Sequence, residues 1–330
     1  MRVKFLSHVA TIAVFLALLV VMLGAYTRLT DAGLGCPDWP GCYGQLVLPA
    51  TQQKLIEAQK RFPTILIEQK KAWTEMVHRY AAGTLALLIF GIFLLSMFSG
   101  KKNLPISIPA VLLGLVIFQA LLGMWTVTLK LLPVVVMAHL LGGMLIFAFL
   151  FYYRLQISGL VGVECGRRWR FAIGLGIVIV FFQIALGGWV SSNYAGVACV
   201  GFPTCNGQWL PELHLADGFN LLSPVGANYQ GGLLDNQERV TIQFIHRMGA
   251  LLTVFYVFIL ASTLFARKYV RLFAAIALVL VVLQFTLGIF NVVYLLPLWV
   301  AVAHNGVAAL LLATLLGLFY CSKGGAFNAS

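Results

Sequence analysis

The chain has 330 residues and a formal net charge of +12, yet only 10% of its residues are charged and 61% are hydrophobic. With a mean hydropathy of +0.95, this composition excludes a soluble globular domain and points to an all-α integral membrane protein. The basic excess is then a signal of orientation in the bilayer and not of nucleic-acid binding.

Eight segments reach the length of about 20 apolar residues that a membrane helix requires, roughly 8–27, 76–98, 106–128, 133–152, 171–192, 241–264, 272–294 and 298–320. The first begins "MRVKFLSHVATIAVFLALLVV", whose basic start and apolar core resemble a secretory signal. No small-x-small cleavage pattern follows, and the segment has a counterpart in mid-chain, so it is read as a retained span. "AGLGC" before Cys36 lacks the aliphatic residue of a lipoprotein box, with Gly33 in its place. A long loop, roughly 28–75, follows; its stretch "QQKLIEAQKRFPTILIEQKKAW" forms either a short amphipathic helix or a solvated linker. A second long loop spans roughly 192–240, and over the two loops together bases and acids nearly balance.

The opposite ends of the spans carry Arg2, Lys4, Lys101, Lys102, Arg154, Arg167, Arg168, Arg170, Arg267, Lys268, Arg271 and Lys323 against the single acid Glu164. Lys and Arg of short loops gather on the cytoplasmic side, so these ends and both termini are expected there.

The chain repeats itself. "LGAYTRLTDAGLGCPDWPGCYGQ" from Leu23 aligns without a gap on "LGGWVSSNYAGVACVGFPTCNGQ" from Leu186. "MVHRYAAGTLALL" matches "FIHRMGALLTV", and "QALLGMWTVTLKLLPVVVMAHLLGGML" matches "QFTLGIFNVVYLLPLWVAVAHNGVAAL". The expected architecture is two tandem four-helix bundles, 1–160 and 161–330. Four spans return a chain to its starting side, so a pseudo-two-fold axis along the membrane normal should relate the halves.

Of six histidines, four stand at equivalent places: His78 and His139 in the first unit, His246 and His304 in the second. Each pair lies on the second and fourth helices of its unit, at similar depth, roughly 22–33 Å from the cytoplasmic ends at 1.5 Å per residue. Two imidazoles facing each other across a bundle suit axial ligation of a heme, whose flat apolar ring fills the core. Interhelical hydrogen bonding is the alternative for any one of them. Zinc and copper are disfavoured because two histidines alone leave their coordination incomplete. There is no C-x-x-C-H, so a heme would be held without thioether links. Arg79 and Arg247 each follow the first histidine of a pair, where they would meet heme propionates or, alternatively, lipid phosphates. His8 and His214 have no repeat partners.

Cys36 and Cys42, then Cys199 and Cys205, form two C-x5-C pairs in the outward loops and should be disulfides, structural or redox-active. Cys165 and Cys321 lie on the cytoplasmic side and should be reduced. Gln119, Gln183 and Gln284 recur in "FQALLG", "FQIALG" and "LQFTLG", as interhelical hydrogen-bonding groups. The halves differ at Glu75, which aligns with Gln243. A carboxylate one turn before His78 suits proton transfer at the first site only, or else is an acid favoured near a helix start.

"RLTDAGLGCPDWP", "EMVHR", "AHLLGG", "IHRMGA" and "AHNGVA", within an eight-span repeat covering nearly the whole chain, resemble the heme A synthase family. The resemblance implies conversion of heme O to heme A by oxidation of a ring methyl through a hydroxymethyl to a formyl group, for cytochrome oxidase. It implies heme O as substrate between His78 and His139, heme B as cofactor between His246 and His304, and Glu75 as the catalytic residue. The cysteine pairs match those of members with loop disulfides; other members lack them. A bacterial cytoplasmic (inner) membrane, an unidentified redox partner, heme O synthase and cytochrome oxidase assembly factors are the implied surroundings. The residues alone also admit a two-heme cytochrome b passing electrons, or a heme carrier without chemistry. No G-x-x-x-x-G-K-[ST] motif suggests ATP-driven transport.

Overall fold

The computed structural model describes residues 2–48, 51–98 and 106–324; Lys101 and Lys102 of the expected cytoplasmic set lie outside them. With no water in the hydrocarbon to satisfy backbone groups, apolar segments of this length fold as helices. In chain order they are α1 (Arg2–Leu29), α2 (Gln52–Arg61), α3 (Gln69–Met97), α4 (Ser107–Thr128), α5 (Pro133–Gln156), α6 (Arg167–Ser192), α7 (Leu215–Gly218), α8 (Asn236–Phe265), α9 (Arg271–Val293) and α10 (Leu298–Cys321). All but α2 and α7 are long and apolar enough to cross a membrane.

Helices α1, α3, α6 and α8 begin earlier than hydropathy alone indicates, and two of these starts bear on the site. Helix α3 starts at Gln69 and not near 76, so Glu75 and His78 sit inside the helix and not on its opening turn. Helix α8 starts at Asn236, where Asp235 and Glu238 form a reciprocal capping box that satisfies two free N–H groups. Polar residues thus extend both helices outward from the apolar stretch. The amphipathic segment of the first long loop divides: Gln52–Arg61 forms α2, capped by Thr51, and Gln69–Trp73 joins α3.

In the first half α1 packs on α3 and α5, α3 on α4, and α4 on α5; in the second, α6 packs on α8 and α10, α8 on α9, and α9 on α10. The halves meet along α1–α10, α5–α6 and α5–α10. Helix α10 is the centre of the assembly, with 56% of its apolar stretch buried against at most 28% in any other span.

The turns between α4 and α5 and between α9 and α10 are tight and alike. Lys130 and Leu131 in one, Leu295 and Leu296 in the other, take left-handed backbone angles, with φ between 48° and 66°. Leu131 donates back to Thr126 (2.8 Å) and Leu296 to Asn291 (2.7 Å), closing each helix end. Pro133 and Pro297 then start the next helix, where a missing N–H costs nothing. These short reversals hold α4 beside α5 and α9 beside α10 at the level of the histidines.

At the expected cytoplasmic end, Arg154 donates to Thr11 (2.7 Å) and Lys323 to the Tyr152 hydroxyl (3.2 Å). Val163 bonds Cys321 O (2.8 Å), and Arg267 covers the Trp169 ring at 4.6 Å. These contacts gather the ends of α1, α5, α6, α8 and α10. Cys165 and Cys321 are free thiols.

Close helix approach depends on small residues. A Cβ at Gly317 of α10 would meet the Phe273 ring of α9, with Cδ1 2.6 Å away. Gly317→Ala is expected to destabilise the protein by about 1–3 kcal/mol through overpacking. Thermal unfolding in detergent tests this, and an unchanged midpoint would show that the ring relaxes freely.

Candidate functional site

The histidines of each unit stand on diagonal helices of its bundle. His78 of α3 and His139 of α5 face each other with ring centroids 6.4 Å apart and planes crossed at 82°. An atom held between two imidazoles by bonds of about 2 Å places the ring centroids roughly 6 Å apart, so this separation suits an iron with two axial histidines. His246 of α8 and His304 of α10 form the corresponding pair and lie close enough to interact electrostatically. All four histidines are partly buried residues.

Glycine on the adjacent helix makes room for each ring. A Cβ at Gly24 would stand 3.1 Å from Cε1 of His78, one at Gly123 3.2 Å from His139, one at Gly187 3.2 Å from His246, and one at Gly288 3.3 Å from His304. These separations are tighter than side chains ordinarily accept, so alanine at any of the four would push on a ring. Four residues before the glycines stand Val20, Gln119, Gln183 and Gln284. Gln119 donates to the carbonyl of His139 (2.6 Å), and Gln183 to that of His246 (3.0 Å). Nδ1 of His78, His139 and His304 is buried without a hydrogen-bond partner. The backbone carbonyls of Val20, Gln119 and Gln284 lie beside those three rings. A metal on Nε2 would fix the tautomer that carries its proton on Nδ1, aimed at these carbonyls, so the residues present fit a bis-histidine heme.

Each long loop is stapled and then tied to its histidine helix. Disulfides join Cys36 to Cys42 and Cys199 to Cys205. Arg79 donates to the carbonyls of Asp38 (2.9 Å), Pro40 (3.2 Å) and Gly41 (2.6 Å), inside the first disulfide ring. Arg247 donates to Gly201 (3.0 Å), Thr204 (3.1 Å) and Cys199, inside the second. Both guanidinium groups therefore carry loop carbonyls, a use that their position after a histidine does not by itself reveal.

Only the first unit adds a carboxylate. Glu75 is 4% exposed. Its Oε2 accepts the N–H of Cys36 at 2.8 Å, and its Oε1 accepts from Arg79. The approach depends on Gly35: a Cβ there would lie 2.6 Å from the backbone carbon of Lys71. Loop backbone and α3 backbone are thus in direct contact, which lets the Cys36 N–H reach a buried acid. Nearby Tyr43 is buried, and that burial, followed by the carboxylates of Glu68, Glu75 and Asp38, pushes its phenol above the usual range. In the second unit Gln243 is equally buried, with Oε1 unpartnered.

His8 bonds the carbonyl of Lys4 (2.7 Å) and His214 faces Glu212 (3.6 Å), both away from the pairs. Between the units, Arg28 of α1 donates to the carbonyl of Ser191 and lies 3.9 Å over the Tyr194 ring, and the Tyr194 hydroxyl donates to Asp31 (3.0 Å). Sequence reasoning missed the glycines beside the rings. The recurring Gln-x-x-x-Gly was the signal for three of them, Gly123, Gly187 and Gly288, visible in the repeat but not assignable to a histidine without the helix packing.

The profile of the COX15-CtaA family, cytochrome oxidase assembly proteins, matches residues 7–316. The heme A synthase of Shewanella oneidensis is 43% identical over 96% of both chains. That of Caulobacter sp. strain K31 is 30% identical over 89% of both, and that of Rhizorhabdus wittichii 27% identical over 96% of this chain and 93% of its own. With nearly the whole length matched, the chain belongs to the COX15-CtaA family of cytochrome oxidase assembly proteins.

Proposed function

We propose that this protein is a heme A synthase: it takes heme O in the first unit and oxidises a ring methyl, through a hydroxymethyl, to the formyl group of heme A. The observation that carries this reading is a histidine pair repeated in both units with a buried carboxylate beside one pair alone. Two equal electron-transfer sites would have no use for that difference. The name borne by relatives matched over the full chain supports it.

His78 and His139 would hold the substrate through its iron. Glu75 lies one turn from His78 on the same helix, so its carboxylate is placed to take and return a proton as the methyl is oxidised. The Cys36 N–H and Arg79 hold that carboxylate in place. His246 and His304 hold heme B, which when bound supplies one-electron chemistry. Arg79 and Arg247, beside the outer edge of each pair, keep positive charge where propionates would lie while fastening the loops. The two-fold relation of the units is supported by the parallel helix contacts of the halves. The basic ends and both termini face the cytoplasm of a bacterium, in its inner membrane, and the disulfide loops face outward. An external redox partner, heme O synthase and oxidase assembly factors complete the setting.

Cells that make heme O but not heme A test the activity. Expression of this chain should yield heme A on extraction and chromatography, and Glu75→Gln should lower the yield by about a hundredfold or more, as for loss of a general acid–base group. Heme B in both sites without heme A would instead identify an electron-transfer cytochrome; colourless purified protein would remove the heme reading altogether.

The two sites should also separate by spectrum. His246→Ala or His304→Ala is expected to abolish the Soret band of the resident heme B in purified protein, and His78→Ala to spare it. Loss in the His78 variant alone would reverse the assignment.

A further inference from the structure

The turn that joins α8 to α9 carries three exposed cations, Arg267, Lys268 and Arg271. Among the described residues the ion pairs are Arg28–Asp31, Lys71–Glu68, Arg79–Glu75 and His214–Glu212, so none of the three meets a carboxylate there. Arg271 is nevertheless held in place. Its Nε donates to the carbonyl of Phe265 (3.1 Å), and its guanidinium lies 5.7 Å over the Phe265 ring. Arg267 is occupied over the Trp169 ring of α6.

Basic residues at the end of a span commonly reach the lipid headgroups one by one. Here a groove leads away from them. It has a volume of about 510 Å³, opens between α8 and α9, and is lined by Phe258, Leu278, Val279, Val282, Leu283 and Thr286. The Thr286 hydroxyl donates to the carbonyl of Val282 (2.9 Å), so the lining is apolar in effect. At 3.6 residues per turn Arg271, Leu278, Val282 and Thr286 fall on one stripe of α9, and Phe258 and Phe265 on one stripe of α8. The guanidinium therefore stands at the head of the groove, part of α9 and bonded to Phe265 of α8. At 1.5 Å per residue the α9 lining lies roughly 10 to 22 Å from Arg271, the depth of the acyl chains of one leaflet in a hydrocarbon core about 30 Å thick. The first unit has no arginine at this place: counting back from the aligned Gln119 and Gln284, Arg271 corresponds to Ile106.

We infer that the α8–α9 groove binds one anionic phospholipid, its phosphate on Arg271 and Lys268 and an acyl chain along Phe258, Leu278 and Val282. A zwitterionic lipid would bring a cation of its own to the same charges. A partner helix would offer the guanidinium only apolar side chains and backbone already bonded within that helix. A phosphodiester of net negative charge instead meets an arginine through charge-assisted hydrogen bonds, two at a time. The site does not depend on which heme either unit holds.

The test counts lipids. Full-length protein, stripped of lipid in a neutral detergent, is titrated with dioleoylphosphatidylglycerol or dioleoylphosphatidylcholine, and the adducts are followed by native mass spectrometry. The first phosphatidylglycerol is expected to bind at least about fivefold more tightly than the first phosphatidylcholine. Arg271→Ile, which puts the first unit's residue into the second, should erase that preference, and Arg271→Lys should keep most of it. Val279→Trp, at an exposed position on the groove wall, should weaken binding of both lipids by filling the groove. Glycerol phosphate, a headgroup without chains, should not displace the bound lipid. Circular dichroism checks that each variant keeps the helix content of the wild type. Lys268→Gln, on the open turn, carries the same test if Arg271→Ile does not fold, with a smaller loss of preference expected. Equal affinity of the wild type for the two lipids, a preference unchanged in the Arg271→Ile or Lys268→Gln protein, or unchanged binding in Val279→Trp would overturn the proposal. So would displacement by glycerol phosphate, which would reveal a plain phosphate site.

Discussion

Inside hydrocarbon a polar imidazole is costly and must be given room among the packed helices. Here glycine on the adjacent helix provides the room in all four cases. Much of the fold follows from placing those glycines opposite the rings: two tight reversals with left-handed leucines, prolines that start α5 and α10, and a central position for α10. A histidine pair across a bundle is then geometry maintained by helix packing, not by the loops.

The loops serve another purpose. Each disulfide ring supplies carbonyls that receive an arginine from the histidine helix, so the backbone solvates the charge next to each site. In the first unit the ring adds one N–H, from Cys36, which meets Glu75. A buried carboxylate without such donors would be costly. In the second unit the same loop frame stands beside Gln243, without an acid.

The sequence revealed the eight spans, the repeat, both histidine pairs and the single carboxylate, because each leaves a local mark: hydropathy for the spans, identity at a fixed offset for the histidines, a mismatch within that offset for Glu75 against Gln243. It did not reveal the start of α3 at Gln69, since charged residues that extend a helix beyond the bilayer look like loop. Nor did it reveal what Arg79 and Arg247 hold, because backbone carbonyls carry no residue signature. The glutamines were visible as a motif, but their partners depend on which helices lie side by side. Only packing pairs Gly24 with His78 and Gly123 with His139.

The contact between the units involves aligned positions: Arg28 corresponds to Ser191 and Asp31 to Tyr194 in the repeat, and each residue meets its own counterpart. Were the two units separate copies of one sequence, arginine would face arginine and aspartate would face aspartate, two repulsions at the same seam. Joining the units in one chain lets a position differ from its counterpart, so a charge can sit opposite a carbonyl, a hydroxyl and an aromatic face. The covalent tandem is thus a condition for the polarity of the seam.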